Sequence, residues 1–252
     1  MPDSFSAALA PFEPLSLAET ESVALLDRTD TKYLVAADRL PEILAGLERR
    51  YAALEVAGLR ASPYETLYYD TSRFDCYRRH HAGRAVRAKV RARRYAATGG
   101  CFLEVKRRDN HDRTLKRRVA IAAVTDRLDD AHAPFVRDHS GLDPGSLRGV
   151  LWVGYRRATL VSLAEGERVT IDVGLAFRGV DPGRFAGLAI AEVKRPRAAG
   201  PSAIVGALHR HRVLEAGVSK YCLGLATARP ELPRNNFLDT LRHIDRVLHA
   251  AG

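Results

Sequence analysis

Between Arg84 and Tyr95 the chain alternates with a period of two: Arg87, Lys89, Arg91 and Arg93 fall on one side of a strand, and Val86, Ala88, Val90 and Ala92 on the other. For one strand the ordinary meaning is a solvated outer face. The pattern recurs, however. Glu104 and Lys106 oppose Leu103 and Val105, Arg168 and Asp172 oppose Val169 and Ile171, and Glu192 and Lys194 oppose Ala191 and Val193. Four strands therefore share a charged face that is mixed in sign but mostly positive. If those faces converge inside a closed barrel, the interior is a polar tunnel and the apolar faces point outward under a cover of helices. Cations gathered so closely repel unless a polyanion fills the space, which implies a phosphate-rich ligand.

The charge balance is local in the same way. Of 40 Lys plus Arg and 30 Asp plus Glu in 252 residues, the segment from Arg78 to Arg118 holds 15 basic and 3 acidic, leaving 25 against 27 elsewhere. A hydrophobic content of 46% in a chain of this length supports a sizeable core, and neither a disordered nor a fibrous composition fits. Cys76, Cys101 and Cys222 are odd in number and lack a C-x-x-C spacing, so no disulfide framework or zinc knuckle is expected. The N-terminus has no Lys or Arg before Arg28 and is broken by Pro2, Pro11 and Pro14, unlike a signal peptide. No stretch reaches the ~18 apolar residues that a membrane span needs. A cytoplasmic protein is expected.

Strands are predicted over Arg28 to Val35, Tyr64 to Tyr69, Arg84 to Tyr95, Cys101 to Arg107, Leu115 to Ile121, Val150 to Leu163, Glu167 to Val173 and Leu188 to Arg195. Ser16-x-x-Glu19 predicts a capped helix to about Leu26, and Asp38 one to about Arg50 with Leu40, Ile43, Leu44 and Leu47 at helical spacing. A short helix plus loop is expected from Thr125 to Arg148. Ser202 starts a helix to about Leu214, Ser219 one to about Thr227, and Asn235 or Asn236 one through Leu248. The fold class is α+β, an antiparallel β-barrel with surrounding helices. The expected organisation is a tail over 1–15, a domain over 16–228 and a packed helical extension over 229–252.

A set of short motifs then stands in order: Arg28-Thr-Asp-Thr-Lys32-Tyr33; Tyr69-Asp70-Thr71 followed by Tyr77; Lys89-Val-Arg91-Ala-Arg93-Arg-Tyr95; Leu103-Glu104-Val-Lys106; Tyr155-Arg-Arg157; Arg168-Val-Thr-Ile-Asp172; Ala191-Glu192-Val-Lys194; and Ser219-Lys220-Tyr221. In these residues the chain resembles the polyphosphate polymerase domain of the vacuolar transporter chaperone (VTC) complex, one of the triphosphate tunnel metalloenzymes, from about Arg28 to Ala226. The resemblance implies a barrel whose tunnel binds ATP or another triphosphate and polyphosphate, with Mn²⁺ or Mg²⁺ on an acidic residue. It implies phosphate binding by Lys32, Arg91, Arg93, Lys106, Arg157, Arg168 and Lys220, with Lys89 and Lys194 on the same face, and a metal on Glu192, with Glu104 as the second candidate. Catalysis would rest on Lys32, Arg91, Arg93, Lys106, Arg157 and Arg168. Related tunnel enzymes carry Glu-x-Glu-x-Lys on the first strand; here Arg28 and Asp30 take the two Glu places before Lys32, a departure from the acidic cluster of hydrolases.

The chemistry fits the residues. A polyphosphate end is already an ionised nucleophile, so γ-phosphoryl transfer to it asks for charge neutralisation and in-line positioning more than for a general base. Arginine offers bidentate forks and lysine a point charge, and no P-loop pattern occurs. Hydrolysis of inorganic or organic triphosphate, or polyanion binding without turnover, would use the same face. Nucleic acid is not expected, because the charged face lacks aromatics. His80, His81, His209 and His211 read as structural or solvated, with His80 and His81 in a turn. Tyr68, Tyr69 and Tyr77 read as sheet core, and Cys76 as non-catalytic.

Overall fold

Alternating residues can bury one face only by pairing into a sheet, and among the described residues ten segments do so. The structure, a computed structural model, describes residues 3–21, 28–111 and 113–249. Its strands are β1 (Glu13–Leu15), β2 (Arg28–Ala36), β3 (Ala52–Leu54), β4 (Ala61–Asp70), β5 (Arg87–Tyr95), β6 (Cys101–Arg108), β7 (Thr114–Ile121), β8 (Arg148–Ser162), β9 (Glu167–Phe177) and β10 (Leu188–Pro196). They form one sheet in the order β2-β10-β9-β8-β4-β5-β6-β7, antiparallel along that path, with β3 added on β8 and β1 parallel to β3. The expected barrel is present but has a seam: β2 and β7 end the path, and no ladder joins them among the described residues.

The apolar outer faces are covered by helices, α1 (Ser4–Leu9), α3 (Leu40–Leu44) and α6 (Ala203–Arg210) on one side and α5 (Ala133–Ser140) on the other. Tyr33, Val35, Leu160, Ile171, Ala191 and Val193 pack under the first group. Val90, Ala92, Leu103 and Val105 pack with Val136 of α5. The stretch read as an N-terminal tail is part of this cover, since Phe5, Leu9, Phe12 and Leu15 are buried.

A third cluster lies on the inner face and departs from the expected wholly polar interior. Leu34, Leu151, Val153, Leu175, Phe177, Leu188 and Ile190 line it and pack on Tyr221, Cys222 and Leu225 of α7 (Lys220–Ala228) and on Ile244 of α8 (Leu238–His249). A bulge explains the change along β9. The register slips where Gly154 and Arg156 oppose Ala176 and Val173, and Gly174 takes φ 63°. The added residue flips the strand's parity, so Arg168, Thr170 and Asp172 face inward before it and Leu175 and Phe177 after it. Helix α7 fits this half closely, because a Cβ on Gly224 would lie 2.5 Å from Phe177 and 2.6 Å from Leu151.

Local breakers correct several boundaries. The helix expected over Asp38 to Arg50 is a 3₁₀ turn, α3 and a second 3₁₀ turn, with Gly46 at φ 82° between the last two; Leu40, Ile43, Leu44 and Leu47 are nevertheless all buried. Helix α6 stops at Arg210 rather than Leu214, where Arg212 turns left-handed at φ 56°. His80 and His81, expected in a turn, end α4 (Asp75–His81). The Ser16 capping box forms, with Ser16 N–H and Oγ donating to Glu19 at 2.9 and 2.6 Å, and starts α2 (Leu17–Glu21); its predicted continuation over 22–26 lies outside the described residues.

Candidate anion-binding site

The charged half of the barrel interior is built from the even-odd choice made in each strand. Lys32 of β2 opposes Glu192 of β10, Lys194 opposes both Asp30 and Arg168, Arg157 of β8 opposes Asp172 of β9, and Lys89 and Arg91 of β5 oppose Lys106 and Glu104 of β6. All the residues that the resemblance implies therefore lie on inner positions. Arg94 does not: it is exposed and pairs outside with Glu65, Nε to Oε2 at 2.8 Å.

Most of these cations are already neutralised inside the protein. Glu104, 1% exposed, is clasped by Arg91 at 2.6 Å, by Lys116 of β7 at 2.5 Å and, at 4.0 Å, by Arg93. Burial raises its pKa, but these cations outweigh burial and hold the carboxyl far below the usual range. Both oxygens being engaged, Glu104 is poorly suited to a metal. Asp172 is held likewise, by a two-pronged Arg157 fork at 2.6 and 2.7 Å and by Lys220. Arg168 turns its Nη2 to the Thr20 carbonyl of α2. Lys116 was not among the sequence candidates, although the alternation of its strand puts it on the Glu104 side; an edge strand with no carboxylate motif gave no reason to single it out.

Among the described residues, three lysines are left without a carboxylate partner at hydrogen-bond distance. Lys32 Nζ donates to the Val218 carbonyl at 2.9 Å, Lys89 Nζ to Ser219 Oγ at 2.8 Å, and Lys106 lies across the ladder from Lys89. They come from three strands and gather where α7 begins, so its N-terminal N–H groups and positive dipole end add to the same field. Burial and the nearby Lys89 and Lys32 bring the Lys106 pKa down to about 8, and burial with Lys32 and Arg91 lowers that of Lys89. His80 of α4 reaches the same place: burial, with Lys89, Arg87 and Lys106, lowers it to about 3, so it is neutral, and its buried Nε2 has no hydrogen-bond partner.

Aromatics brace the guanidinium groups. Tyr64 and Tyr155 stack at 5.5 Å, Arg93 and Arg157 lie over their rings at 5.4–5.9 Å, and Lys220 sits 4.8 Å from the Tyr155 centroid. The Tyr155 hydroxyl is buried and unpartnered. Tyr68, expected as core, is buried but also faces the site: burial raises its pKa, yet Arg91, Arg93 and Lys89 make the net shift downward. Tyr69 and Tyr77 do belong to core clusters. His209 meets Tyr33 edge-on and His211 meets Arg39, both away from the site.

The end of α7 is fixed by Asp70, which is fully buried. Its Oδ1 accepts the Thr71 and Cys76 N–H groups at 2.7 and 2.9 Å, and its Oδ2 accepts the Tyr77 N–H at 3.0 Å and the Tyr221 hydroxyl. One carboxylate thus caps α4 and ties it to α7, which sets Ser219, Lys220 and His80 against the lysines.

Glu192 is less tightly held than Glu104 and Asp172. One oxygen accepts Lys194 Nζ at 2.9 Å; burial raises its pKa, but Lys194 and Lys32 bring it down to about 2. No group of three or more His, Cys, Asp or Glu ligands gathers among the described residues. This donor set suits a hard divalent ion that takes one carboxylate and completes its shell with phosphate and water oxygens.

The barrel interior is therefore basic in one half and filled by apolar packing in the other. The VTC domain family model matches residues 27–229, and the chain belongs to that family. No curated protein matches it. Among solved structures it is similar to a candidate adenylate cyclase from Vibrio parahaemolyticus (14% identity, 79% of this chain and 99% of that one, TM-score 0.47). Another is a candidate adenylate cyclase from Bacillus halodurans (11%, 77% and 94%, 0.47). A third is the candidate adenylyl cyclase HpAC1 from Hippeastrum, described with a dominant triphosphatase activity (15%, 84% and 99%, 0.46). Among the described residues, no helix is long and apolar enough to cross a membrane.

Proposed function

We propose that this chain binds ATP or another triphosphate in the charged half of its barrel and transfers the γ-phosphoryl group to polyphosphate, with Mn²⁺ or Mg²⁺ on Glu192. The observation that carries the reading is the convergence of Lys32, Lys89 and Lys106, without carboxylate partners among the described residues, on the N-terminus of α7. Three ammonium groups gathered this closely repel one another in an empty site and are favourable around a phosphate. The paired cations play a different part. Arg91, Arg93, Arg157 and Lys220 are held in place by Glu104 and Asp172, so their remaining N–H groups are pre-oriented, and the unpartnered Tyr155 hydroxyl adds a donor.

In the transfer, a terminal oxygen of polyphosphate attacks the γ-phosphorus and the β–γ bridging oxygen leaves with the diphosphate. The lysines and arginines offset charge on the equatorial and leaving oxygens. A divalent metal held by Glu192 would supply further neutralisation of the phosphate charge. Incubating the purified protein with ATP and Mn²⁺ and resolving products by chain length tests the reading: a polymer ladder is expected, and the absence of any product longer than ATP's own phosphate chain overturns it.

A second reading, triphosphate hydrolysis, is favoured by His80. A neutral ring with an unpartnered Nε2 beside Lys89 and Lys106 offers a proton acceptor for an attacking water. In the same assay it would give orthophosphate alone, in an amount that falls in His80→Ala.

A further inference from the structure

A groove of about 420 Å³ opens on the outside of the barrel, where Trp152 of β8 points away from the interior. Its neighbours Leu151 and Val153 face the apolar half filled by α7, so β8 and that packed half separate the groove from the charged site. Arg127, Arg148, Arg178 and Arg229 line it, against the single carboxylate of Asp126. Arg178 lies over the Trp152 ring at 5.0 Å and Arg229 over Phe74 at 6.0 Å, while Arg148 donates to the Gly145 and Leu147 carbonyls at 2.7 Å. None of the four guanidinium groups has a carboxylate within ion-pair distance among the described residues. Around Arg91 and Arg157 the protein offsets clustered cations with Glu104 and Asp172; here, as at Lys32, Lys89 and Lys106, it leaves them open.

We propose that this groove is a second anion site that takes an oligophosphate chain. Guanidinium forks match pairs of phosphate oxygens, and stacking on Trp152 and Phe74 fixes two of them before a ligand arrives, which lowers the ordering cost of binding. Gly179 also lines the groove, and with nothing within 4 Å of where a Cβ would stand it leaves the backbone open to close approach. A nucleic-acid strand is the poorer fit: Trp152 is the one aromatic residue in the lining and already carries Arg178, so the groove offers no row of stacking faces.

Trp152 is the only tryptophan of the chain, so its emission reads the groove directly. Calorimetric titration with tripolyphosphate at fixed ionic strength counts bound equivalents, and tryptophan emission locates them. The Arg178→Ala/Arg229→Ala protein should lose one equivalent, or bind it on the order of tenfold or more weakly, the scale of a lost charge-assisted hydrogen bond. The interior variant Lys89→Ala/Lys106→Ala should keep that equivalent together with its emission change. Both arginines are exposed, so melting temperatures should match the wild type and separate lost binding from lost folding. The proposal is overturned if the arginine variant loses no equivalent, if the interior variant abolishes the emission change, if sulfate at matched ionic strength gives the same response, or if a single-stranded oligonucleotide binds the groove more tightly than tripolyphosphate.

Discussion

Replacing Lys106 by Gln should stabilise the ligand-free protein while weakening its hold on triphosphate. Burial, Lys89 and Lys32 bring the Lys106 pKa from its ordinary 10.5 to about 8, and a depression of that size, carried over undiminished, is about 3 kcal/mol against the charged form. Although crowded by the barrel wall, the Lys106 side chain still meets solvent, so screening reduces the effect, and a gain of about 1 kcal/mol at neutral pH is the working figure. In a chain of this size that raises Tm by roughly 2–4 °C. The sign is set by proton binding. Below pH ~8 Lys106 is charged in both states and its cost to the native state is complete. Between pH ~8 and ~10.5 the native protein sheds the proton while the unfolded chain keeps it, so wild-type stability rises with pH and the variant's advantage fades. Thermal melts of both proteins across that range, with and without tripolyphosphate, are the assay. With saturating ligand the order should invert, because the phosphate then favours the charged lysine. A Lys106→Gln protein that melts at or below the wild-type temperature at neutral pH, or keeps its advantage undiminished at pH ~10.5, refutes the reasoning.

Arg91→Ala should cost about 3 kcal/mol in urea unfolding, because it takes a 2.6 Å partner from a carboxylate only 2% exposed, whereas Arg94→Ala should stay within about 1 kcal/mol, its pair with Glu65 being solvated. Tripolyphosphate at ~100 times its Kd should add ~2.7 kcal/mol to stability, and sulfate at equal ionic strength distinctly less; equal effects would mean a diffuse basic surface. Glu192→Gln should leave triphosphate affinity measured without metal unchanged or tighter while cutting metal-dependent turnover by orders of magnitude, and unchanged turnover would remove Glu192 as the metal ligand.

The alternation in β5, β6, β9 and β10 is a local property, since successive side chains of any strand take opposite faces, and it was enough to put Lys89, Arg91, Arg93, Lys106, Arg168, Glu192 and Lys194 on one surface and the helix-covered residues on the other. Serine caps at 202 and 219 were equally legible, because the cap bonds reach only three residues along the chain. What each charge meets across the barrel is not local. Only the pairing of strands and the docking of α7 set Glu104 between Arg91 and Lys116, or Asp172 between Arg157 and Lys220, and so separate neutralised cations from the three lysines that are not. The single added residue at Gly174 flips half of β9 from charged to apolar inside, and α7, from the far end of the chain, fills that half. A period-two pattern has no memory of a bulge and no knowledge of which distant segment will occupy the space it encloses; those were decided by packing, where the apolar inner residues could be buried only by bringing α7 and α8 to them.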